Sequence, residues 1–361
     1  MSSNDIEKLV NEEAKASETV KCPNCGSNLS YHPEKNSLYC EHCDYTKPIV
    51  SGETEELSFD NIVIDNSWSR ETQVLQCKNC GAREVSKTGS ISVHCPFCGS
   101  PMVLDETAIP GQKPNGVCPF LVGKDPAIDK LKVWARKRIM APEKFRKNPD
   151  PSKLNGIYYP SFTYDSQTSS LYAGRLGKRY TTTRVVNGKT VTQSHIRYFN
   201  ISGSLNKFFD DVLIQASTRI DQNTMRKILP YRTNEAKQYN PDYLQGFTAN
   251  QYSKNGQQCW LEAKAIINAD IRRSILARYD YDVVSSLNIN TNFSHMTHKY
   301  VLLPIWVGYF LYHNKNYNFF INGESGKING KTPISVVKVL MIILAILVVA
   351  GLGTLFAYLY N

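Results

Sequence analysis

Eight of the ten cysteines form two sets of four with the same spacing. Each set contains two Cys-x-x-Cys pairs separated by fourteen residues, and each cysteine of the first set recurs 55 positions later in the second. Four thiolates at this spacing are typical of a tetrahedral zinc site. The predicted metal ligands are Cys22, Cys25, Cys40, Cys43, Cys77, Cys80, Cys95 and Cys98.

The two sets predict structural rather than catalytic metal. Four cysteines complete the coordination of Zn²⁺ and leave no position for a reactive water, so we expect two structural zinc ions. Gly26, Gly81 and Gly99 follow three of the four pairs, as in the tight turns of a zinc ribbon. His42 and His94 lie beside predicted ligands, but a complete set of four cysteines makes them the less favoured alternative.

The rest of the sequence offers no recognisable catalytic constellation. Two Asn-Gly-Lys-Thr stretches lack the first glycine of a phosphate-binding loop, which argues against a P-loop ATPase. Asp210 with Asp211, and His295 with His298, have no third partner at a useful spacing, so capping or surface polar roles are favoured. Cys118 and Cys259 are expected to be buried thiols. We therefore expect a protein that is not an enzyme.

The distribution of charged residues along the chain indicates which kinds of partner the ribbons could bind. Residues 1–100 carry nine Lys or Arg against fifteen Asp or Glu, whereas residues 101–361 carry thirty-three against seventeen. Each zinc-tetrathiolate centre would make the N-terminal region more negative, and that region would repel nucleic-acid phosphate. Binding of a protein partner and a purely structural role both remain open for the ribbons.

The middle of the chain reads as an α+β domain. Residues 180–186 and 190–198 are rich in Thr, Val and Tyr and flank Asn187-Gly188, a strong hairpin signal. A second hairpin is predicted from residues 300–312 and 317–321, and a helix over residues 260–279. Mixed helix and antiparallel sheet place residues 115–325 in one basic domain.

A basic helix is predicted near the start of this domain. Asp125-Pro126 suits a helix N-terminus, and an apolar face follows at Ile128, Leu131, Trp134, Ala135 and Ile139. A solvated helix face, anionic lipid headgroups and an acidic partner could each account for the remaining charges, with nucleic acid less favoured. This basic surface comprises Lys130, Lys132, Arg136, Lys137, Arg138, Lys144, Arg146 and Lys147.

The C-terminal region predicts a membrane span. Residues 339–360 contain no charge and would extend about 33 Å as a helix, enough to cross hydrocarbon. Lys327, Lys331 and Lys338 precede the span, so the positive-inside rule places the bulk of the chain in the cytoplasm and the C-terminus outside. The polar N-terminus resembles no signal peptide, which predicts a reducing environment for the cysteines. We expect a tail-anchored, single-pass protein of the cell membrane.

These features together resemble the YdjG-like family of bacterial tail-anchored double zinc-ribbon membrane proteins, whose members often carry the label TFIIB-type zinc ribbon-containing protein. The resemblance covers the chain from about residue 20 onward and is carried by CPNCG, CKNCG, CPFCGS, FFDDVLIQAS, YLQGFTANQY, LLPIWVGYF and INGESGKINGKTPIS. It implies a membrane protein without known catalysis that serves as a docking site for a phage-shock-protein-A-like partner.

The predicted organisation has six parts. They are a flexible acidic N-terminus (1–19), zinc ribbon 1 (20–48), a linker (49–72), zinc ribbon 2 (73–105), the basic α+β domain (115–325) and a transmembrane helix (336–360). The predicted function is that of a membrane scaffold or adaptor, with the ribbons and the α+β domain binding a cytosolic protein of envelope stress or membrane remodelling. The alternative is a membrane-tethered nucleic-acid-binding regulator that uses the basic domain.

Overall fold

The computed structural model describes residues 20–62, 67–70, 72–87, 94–147, 154–186 and 189–360. Two sequence predictions lie outside the described residues. They are the acidic segment 1–19 and the Asn187-Gly188 turn.

The described chain is a mixture of strands and helices, which confirms the α+β prediction. In chain order the strands are β1 (Ser30–His32), β2 (Ser37–Tyr39), β3 (Thr46–Pro48), β4 (Leu57–Ser58), β5 (Thr72–Cys77), β6 (Arg83–Lys87), β7 (Met102–Leu104), β8 (Gly116–Val117), β9 (Leu154–Val186), β10 (Lys189–Phe209), β11 (Ile214–Gln215), β12 (Lys237–Gln238), β13 (Thr248–Asn250), β14 (Val283–Tyr312), β15 (Lys315–Asn322) and β16 (Ile328–Gly330). The helices are α1 (Lys124–Arg136), α2 (Glu143–Lys147), α3 (Gln222–Ile228), α4 (Gly256–Leu276) and α5 (Val336–Tyr360).

Three long antiparallel strands, in the order β10-β9-β14, form the centre of the fold. β9 has 33 residues and β14 has 30, far longer than the predicted hairpin strands. β14 pairs with β9 only as far as Gly177, whereas β10 follows β9 to its end at Val186. Beyond Gly177 the sheet therefore continues as a two-stranded ribbon.

Gly174 of β9 lies beside a break in the pairing register of β14, where the two backbones come too close for a larger residue. The pairing register shifts between Val284 and Ser286, opposite Leu176 and Arg175, and Gly174 is the next residue along β9. A Cβ on Gly174 would lie 2.5 Å from the carbonyl oxygen of Ser286. Because that contact is with backbone, no side-chain movement could relieve it.

Helix α4 covers one face of the long strands. Asn255 caps it, accepting a hydrogen bond from the Gln258 amide while the Gln258 side chain accepts one from the Asn255 amide. Ala263, Ile267, Ile271 and Ile275 recur every four residues and are buried. Three of them pack against Tyr172, Leu176 and Ile201 of the sheet. The helix predicted over residues 260–279 is confirmed, with its start four residues earlier.

Helix α1 differs from its prediction at both ends. It begins at Lys124 with Gly123 as the N-cap, so Asp125 lies in the first turn and does not cap the helix. It ends at Arg136, before Ile139. Ile139, predicted to lie on the buried face, is 67% exposed because the helical periodicity stops three residues before it. The remaining apolar face is buried through Leu131, Trp134 and Ala135.

Both ribbons are packed against the α+β domain, ribbon 1 on one face of its sheet and ribbon 2 through strands that extend the same sheet. The buried residues of ribbon 1 join the cluster that contains Tyr158, whereas those of ribbon 2 join mainly the cluster that contains Ile157 and Tyr159, with Val85 in the first cluster. Neighbouring residues of a strand point to opposite faces, so ribbon 1 and most of the ribbon 2 core lie on opposite sides of β9. The sequence predicts separate units and gives no sign of this packing.

Candidate metal centres

The first centre is formed by Cys22, Cys25, Cys40 and Cys43. Their sulfur atoms all lie within 4.8 Å of one another. The Cys22 and Cys43 sulfurs are 3.4 Å apart, and those of Cys25 and Cys40 are 3.5 Å apart. A tetrahedron with zinc–sulfur bonds of about 2.3 Å has edges of about 3.8 Å, so four thiolates in this arrangement fit one Zn²⁺.

The second centre repeats the first with Cys77, Cys80, Cys95 and Cys98. The Cys77 and Cys98 sulfurs are 3.5 Å apart, as are those of Cys80 and Cys95. All four lie within the same 4.8 Å limit. In both groups the ligand set consists of cysteines alone, and His42 and His94 do not belong to it. The protein therefore has two structural zinc sites.

Tight turns position the paired ligands. In three of the four pairs a glycine amide donates back to the carbonyl of the first cysteine, with Gly26, Gly81 and Gly99 at φ of 75°, 71° and 75°. Asp44 holds the equivalent position in the fourth pair at φ 61° and donates its amide to the Cys40 carbonyl at 3.0 Å. Asp tolerates this left-handed conformation better than most residues, which allows the fourth turn to form without glycine.

Tyr31 fixes ribbon 1 to the α+β domain. Its ring is 3% exposed and packs edge-on against Tyr243, with ring centroids 5.3 Å apart. Its backbone amide donates to the Gln245 carbonyl, and its hydroxyl donates to the Phe120 carbonyl, each at 3.0 Å. Burial raises the pKa of this phenol, so it remains a neutral donor.

Ribbon 2 is joined to the domain through β6. This strand pairs with β13, with Val85 opposite Ala249 and Glu84 opposite Asn250. Glu84 is fully buried, and its carboxylate accepts a hydrogen bond of 3.0 Å from the Asn250 amide group. Burial raises its pKa to about 7, although the bond to Asn250 favours the charged form. The strand that follows Cys80 is therefore part of the central sheet.

Arg219 contacts the second centre directly. Its guanidinium donates to the Cys80 sulfur at 2.8 Å and to the Cys80 carbonyl at 3.0 Å. The same group lies over the Phe97 ring, 4.8 Å from its centroid. A cation beside a tetrathiolate offsets its negative charge and orients the ligand. The sequence gives no sign of this contact, because Arg219 is 121 positions from the nearest ligand, Cys98.

We predict that Arg219→Ala weakens the second zinc site selectively. Loss of an outer-shell donor to a metal ligand lowers affinity by roughly 10–100-fold. Chelator titration of the variant, followed by zinc quantitation, should release one ion earlier than in the parent protein and leave the other unchanged. Arg226→Ala removes an exposed arginine nearby and serves as the control. Equal retention of both ions in Arg219→Ala would contradict the role assigned to Arg219.

Two of the other residues considered for chemistry differ from their predictions. Cys118 and Cys259 are buried thiols as predicted, and burial raises the pKa of both. A capping or surface role was predicted for His298, but it is 1% exposed and lies beside the Phe162 ring, and burial lowers its pKa. Asp211 differs in the same way, because its side chain is only 12% exposed.

Asp211 belongs to a cluster of charges that the sequence did not reveal, in which Asp165 and Lys299 are buried and Glu56 reaches the surface. The Lys299 ammonium lies 2.7 Å from Asp211 and 3.2 Å from Glu56, and it is 7% exposed. Asp165 lies beside them, and three carboxylate oxygens come within 4.8 Å of one another. Burial and the neighbouring Glu56 raise the pKa of Asp165 to about 7. Lys299 supplies the cation in this cluster.

Several of the residues of the predicted basic surface make contacts within the protein. Lys132 pairs with Asp129 at 2.9 Å and Lys147 with Glu143 at 2.5 Å, while the Lys130 side chain lies over the Gly326 turn. Arg146 donates to the Arg136 carbonyl, and Arg138 lies over the Trp134 ring. The exposed cations that remain are centred on the end of α1 and the turn that follows it.

The two cysteine clusters and the C-terminal helix define the class: a double zinc-ribbon protein with one helix, among the described residues, that could span a membrane. The family model for the PriA DNA helicase Cys-rich region (CRR) domain matches residues 22–48, which is ribbon 1.

Over most of its length the chain is similar to the uncharacterized protein YdjG of Bacillus subtilis (strain 168). The two are 28% identical over 326 residues, covering 89% of this chain and 92% of the relative. No solved structure matches. The sequence resemblance to YdjG-like proteins thus extends through the α+β domain and is not limited to the cysteines.

Proposed function

We propose that this protein is a membrane-anchored scaffold that binds a cytosolic protein through ribbon 2 and the α+β domain together. The observation that carries the proposal is a cleft of about 320 Å³ between these two parts. Ribbon 2 contributes Cys80, Phe97 and Cys98 to its wall. The domain contributes residues from the loop before α3 and from β15, so a bound partner would contact both.

The chemistry of the cleft suits an acidic segment of a partner. Lys315 and Lys331 are exposed at its rim and outnumber the one lining carboxylate, Asp221, while the largely buried Phe97 and Phe320 line its wall. Asn318 is held in place because its amide group donates to the Phe97 carbonyl at 2.8 Å. Charged rims and aromatic walls around a rigid cleft are characteristic of protein-binding sites. We propose no catalytic step.

The membrane end is formed by α5, which is apolar and long enough to cross hydrocarbon, and none of the residues 336–354 is buried. The lysines before it support an orientation with the folded part in the cytoplasm and the C-terminus outside. A phage-shock-protein-A-like protein of envelope stress is the partner to test first, on the strength of the YdjG-like resemblance.

Affinity capture of the full-length, detergent-solubilised protein tests the proposal. The expected result is a nuclease-resistant protein partner that is retained by the parent chain and lost from Lys315→Glu/Lys331→Glu. The control is Lys130→Glu/Lys227→Glu, which makes the same charge change outside the cleft. A partner retained equally by both variants would refute the assignment of the cleft.

A second candidate function, nucleic-acid binding, has its own structural support. The two-stranded ribbon beyond Gly177 comprises residues 178–186 and 189–197, which include five Lys or Arg and no Asp or Glu. A two-stranded β-ribbon fits the major groove of DNA. The same capture experiment separates this candidate, because it predicts nuclease-sensitive recovery and affinity that falls steeply with salt.

A further inference from the structure

We infer that residues 136–140, which are the last residue of α1 and the turn after it, form a second membrane contact that lies on anionic lipid headgroups beside the entry point of α5. This inference rests on the membrane anchoring proposed above. It assigns the basic surface to a lipid partner and selects the part of that surface that makes the contact.

Hydrogen bonds tie the turn to the first residues of the span. The Ser335 amide donates to the Met140 carbonyl at 2.9 Å. The Lys338 ammonium donates to the carbonyl oxygens of Ile139 at 3.1 Å and Ala141 at 2.7 Å. Helix α5 begins at Val336, so the turn lies within about one helical turn of the point at which the chain becomes fully apolar.

The charge around the turn matches an anionic surface. Residues 130–147 contain eight Lys or Arg and one Glu. Arg136, Lys137 and Arg138 are consecutive, and all three are exposed. Basic residues immediately on the cytoplasmic side of a span are attracted to acidic headgroups within a Debye length of the bilayer surface.

Apolar side chains accompany these cations. Ile139 is 67% exposed and Met140 is 37% exposed, directly after the three cations. Val133 on the last turns of α1 is 52% exposed, and Ile334 just before α5 is 61% exposed. Interspersed cations and exposed aliphatic side chains are the composition of segments that lie in the headgroup region. Lipid thereby gives Ile139 the apolar contact that the protein core does not provide.

The turn is held rigidly by the core on its other side. Leu131 is fully buried and Trp134 is 7% exposed; the Trp134 ring packs edge-on against Phe145 of α2, with centroids 5.9 Å apart. Phe145 in turn contacts the Phe310 ring of β14 at 5.1 Å. A contact between this turn and lipid would therefore fix the orientation of the whole domain relative to the bilayer.

The test uses full-length protein in nanodiscs made with brominated lipids, which quench tryptophan fluorescence at close range. Ile139→Trp adds a reporter at the turn, and Leu171→Trp adds one at an exposed aliphatic position on β9. The tryptophan emission that Ile139→Trp has in excess of the parent protein should be quenched about twofold more in discs with roughly 30% anionic lipid than in neutral discs. The emission gained in Leu171→Trp should be unchanged by the lipid composition.

Charge removal completes the experiment. Two triple variants are made in the Ile139→Trp background. Quenching should no longer depend on anionic lipid in the first, Arg136→Gln/Lys137→Gln/Arg138→Gln. It should still depend on anionic lipid in the control, Arg179→Gln/Arg184→Gln/Arg197→Gln. Zinc content and circular dichroism establish that each variant is folded. Incorporation into discs without quenching at residue 139, or quenching independent of anionic lipid, would overturn this inference alone. Failure to incorporate into discs would overturn the membrane anchoring as well.

Discussion

Cys40→Ser is expected to remove one zinc ion and to unfold ribbon 1 from the surface of the domain. Cys40 is fully buried, and its loss leaves three thiolates in the first site. Structural zinc contributes apparent binding free energies of about 10–16 kcal/mol in zinc-finger peptides, and that free energy is also folding free energy. Small ribbons have little core of their own to compensate.

Metal analysis and limited proteolysis measure this effect. The variant should bind one zinc per chain and be cleaved within residues 20–48, while ribbon 2 keeps its ion. Cys259→Ser is the matched control, because Cys259 is also fully buried but is no ligand, and it should keep both ions. Two ions retained by Cys40→Ser would show that the first cluster is not the zinc site.

Lys299→Met is expected to destabilise the domain by about 3–5 kcal/mol at neutral pH, because it leaves buried carboxylates without their cation. Burial acts to lower the pKa of Lys299, but its interactions with Asp211 and Glu56 outweigh burial and raise that pKa above the ordinary value. The ammonium is therefore charged in the folded protein at every pH of interest.

The loss of stability in Lys299→Met should depend on pH with a definite sign. The pKa of Asp165 is raised in the folded state to about 7, so folding favours the protonated carboxyl and stability declines as pH rises toward and through that value. Removal of the Lys299 ammonium makes ionisation of the neighbouring carboxyl groups in the folded protein still less favourable. Denaturant unfolding should therefore show a larger deficit at pH 8 than at pH 5, about 1 kcal/mol or more apart.

Lys227→Met controls for loss of a lysine, since Lys227 is exposed on α3 and should change stability by less than about 0.5 kcal/mol. A deficit in Lys299→Met that does not vary with pH would show that packing, and not charge, explains the loss.

Local patterns predicted the zinc ligands well because coordination by cysteines is a short-range property. The spacing of Cys22 to Cys43, and its repeat 55 residues later, reflects only the turns that hold one ion. Arg219 and Lys299 could not be found in this way. Each acquires its role through a strand pairing or loop packing that brings together residues more than a hundred positions apart.

The predicted helix α1 and the predicted hairpin both form, but their ends differ from the predictions where tertiary packing decides. Ile139 has the spacing of a buried residue, yet α1 ends before it. The hairpin around residues 187–188 was predicted from β-branched residues close to the turn, whereas pairing along β14 and β10 extends the strand through Gly174 and Gly177. Glycine normally weakens a strand, but here backbone of β14 lies close to Gly174, and the Ile196 and Tyr198 side chains of β10 lie close to Gly177, so neither position has room for a larger residue.

The length of β9 has a mechanical consequence. Its first residue, Leu154, belongs to the same core as Trp134 and Phe145, which lie next to the segment that contacts α5. Its last residue, Val186, lies at the end of the two-stranded ribbon. A continuous strand of 33 residues spans up to about 105 Å. Hydrogen bonds of an antiparallel ladder run across the strands, so tension along β9 loads many of them in shear at once. A force applied at the far end of the ribbon would thus be transmitted along β9 toward α5 with little extension of the strand.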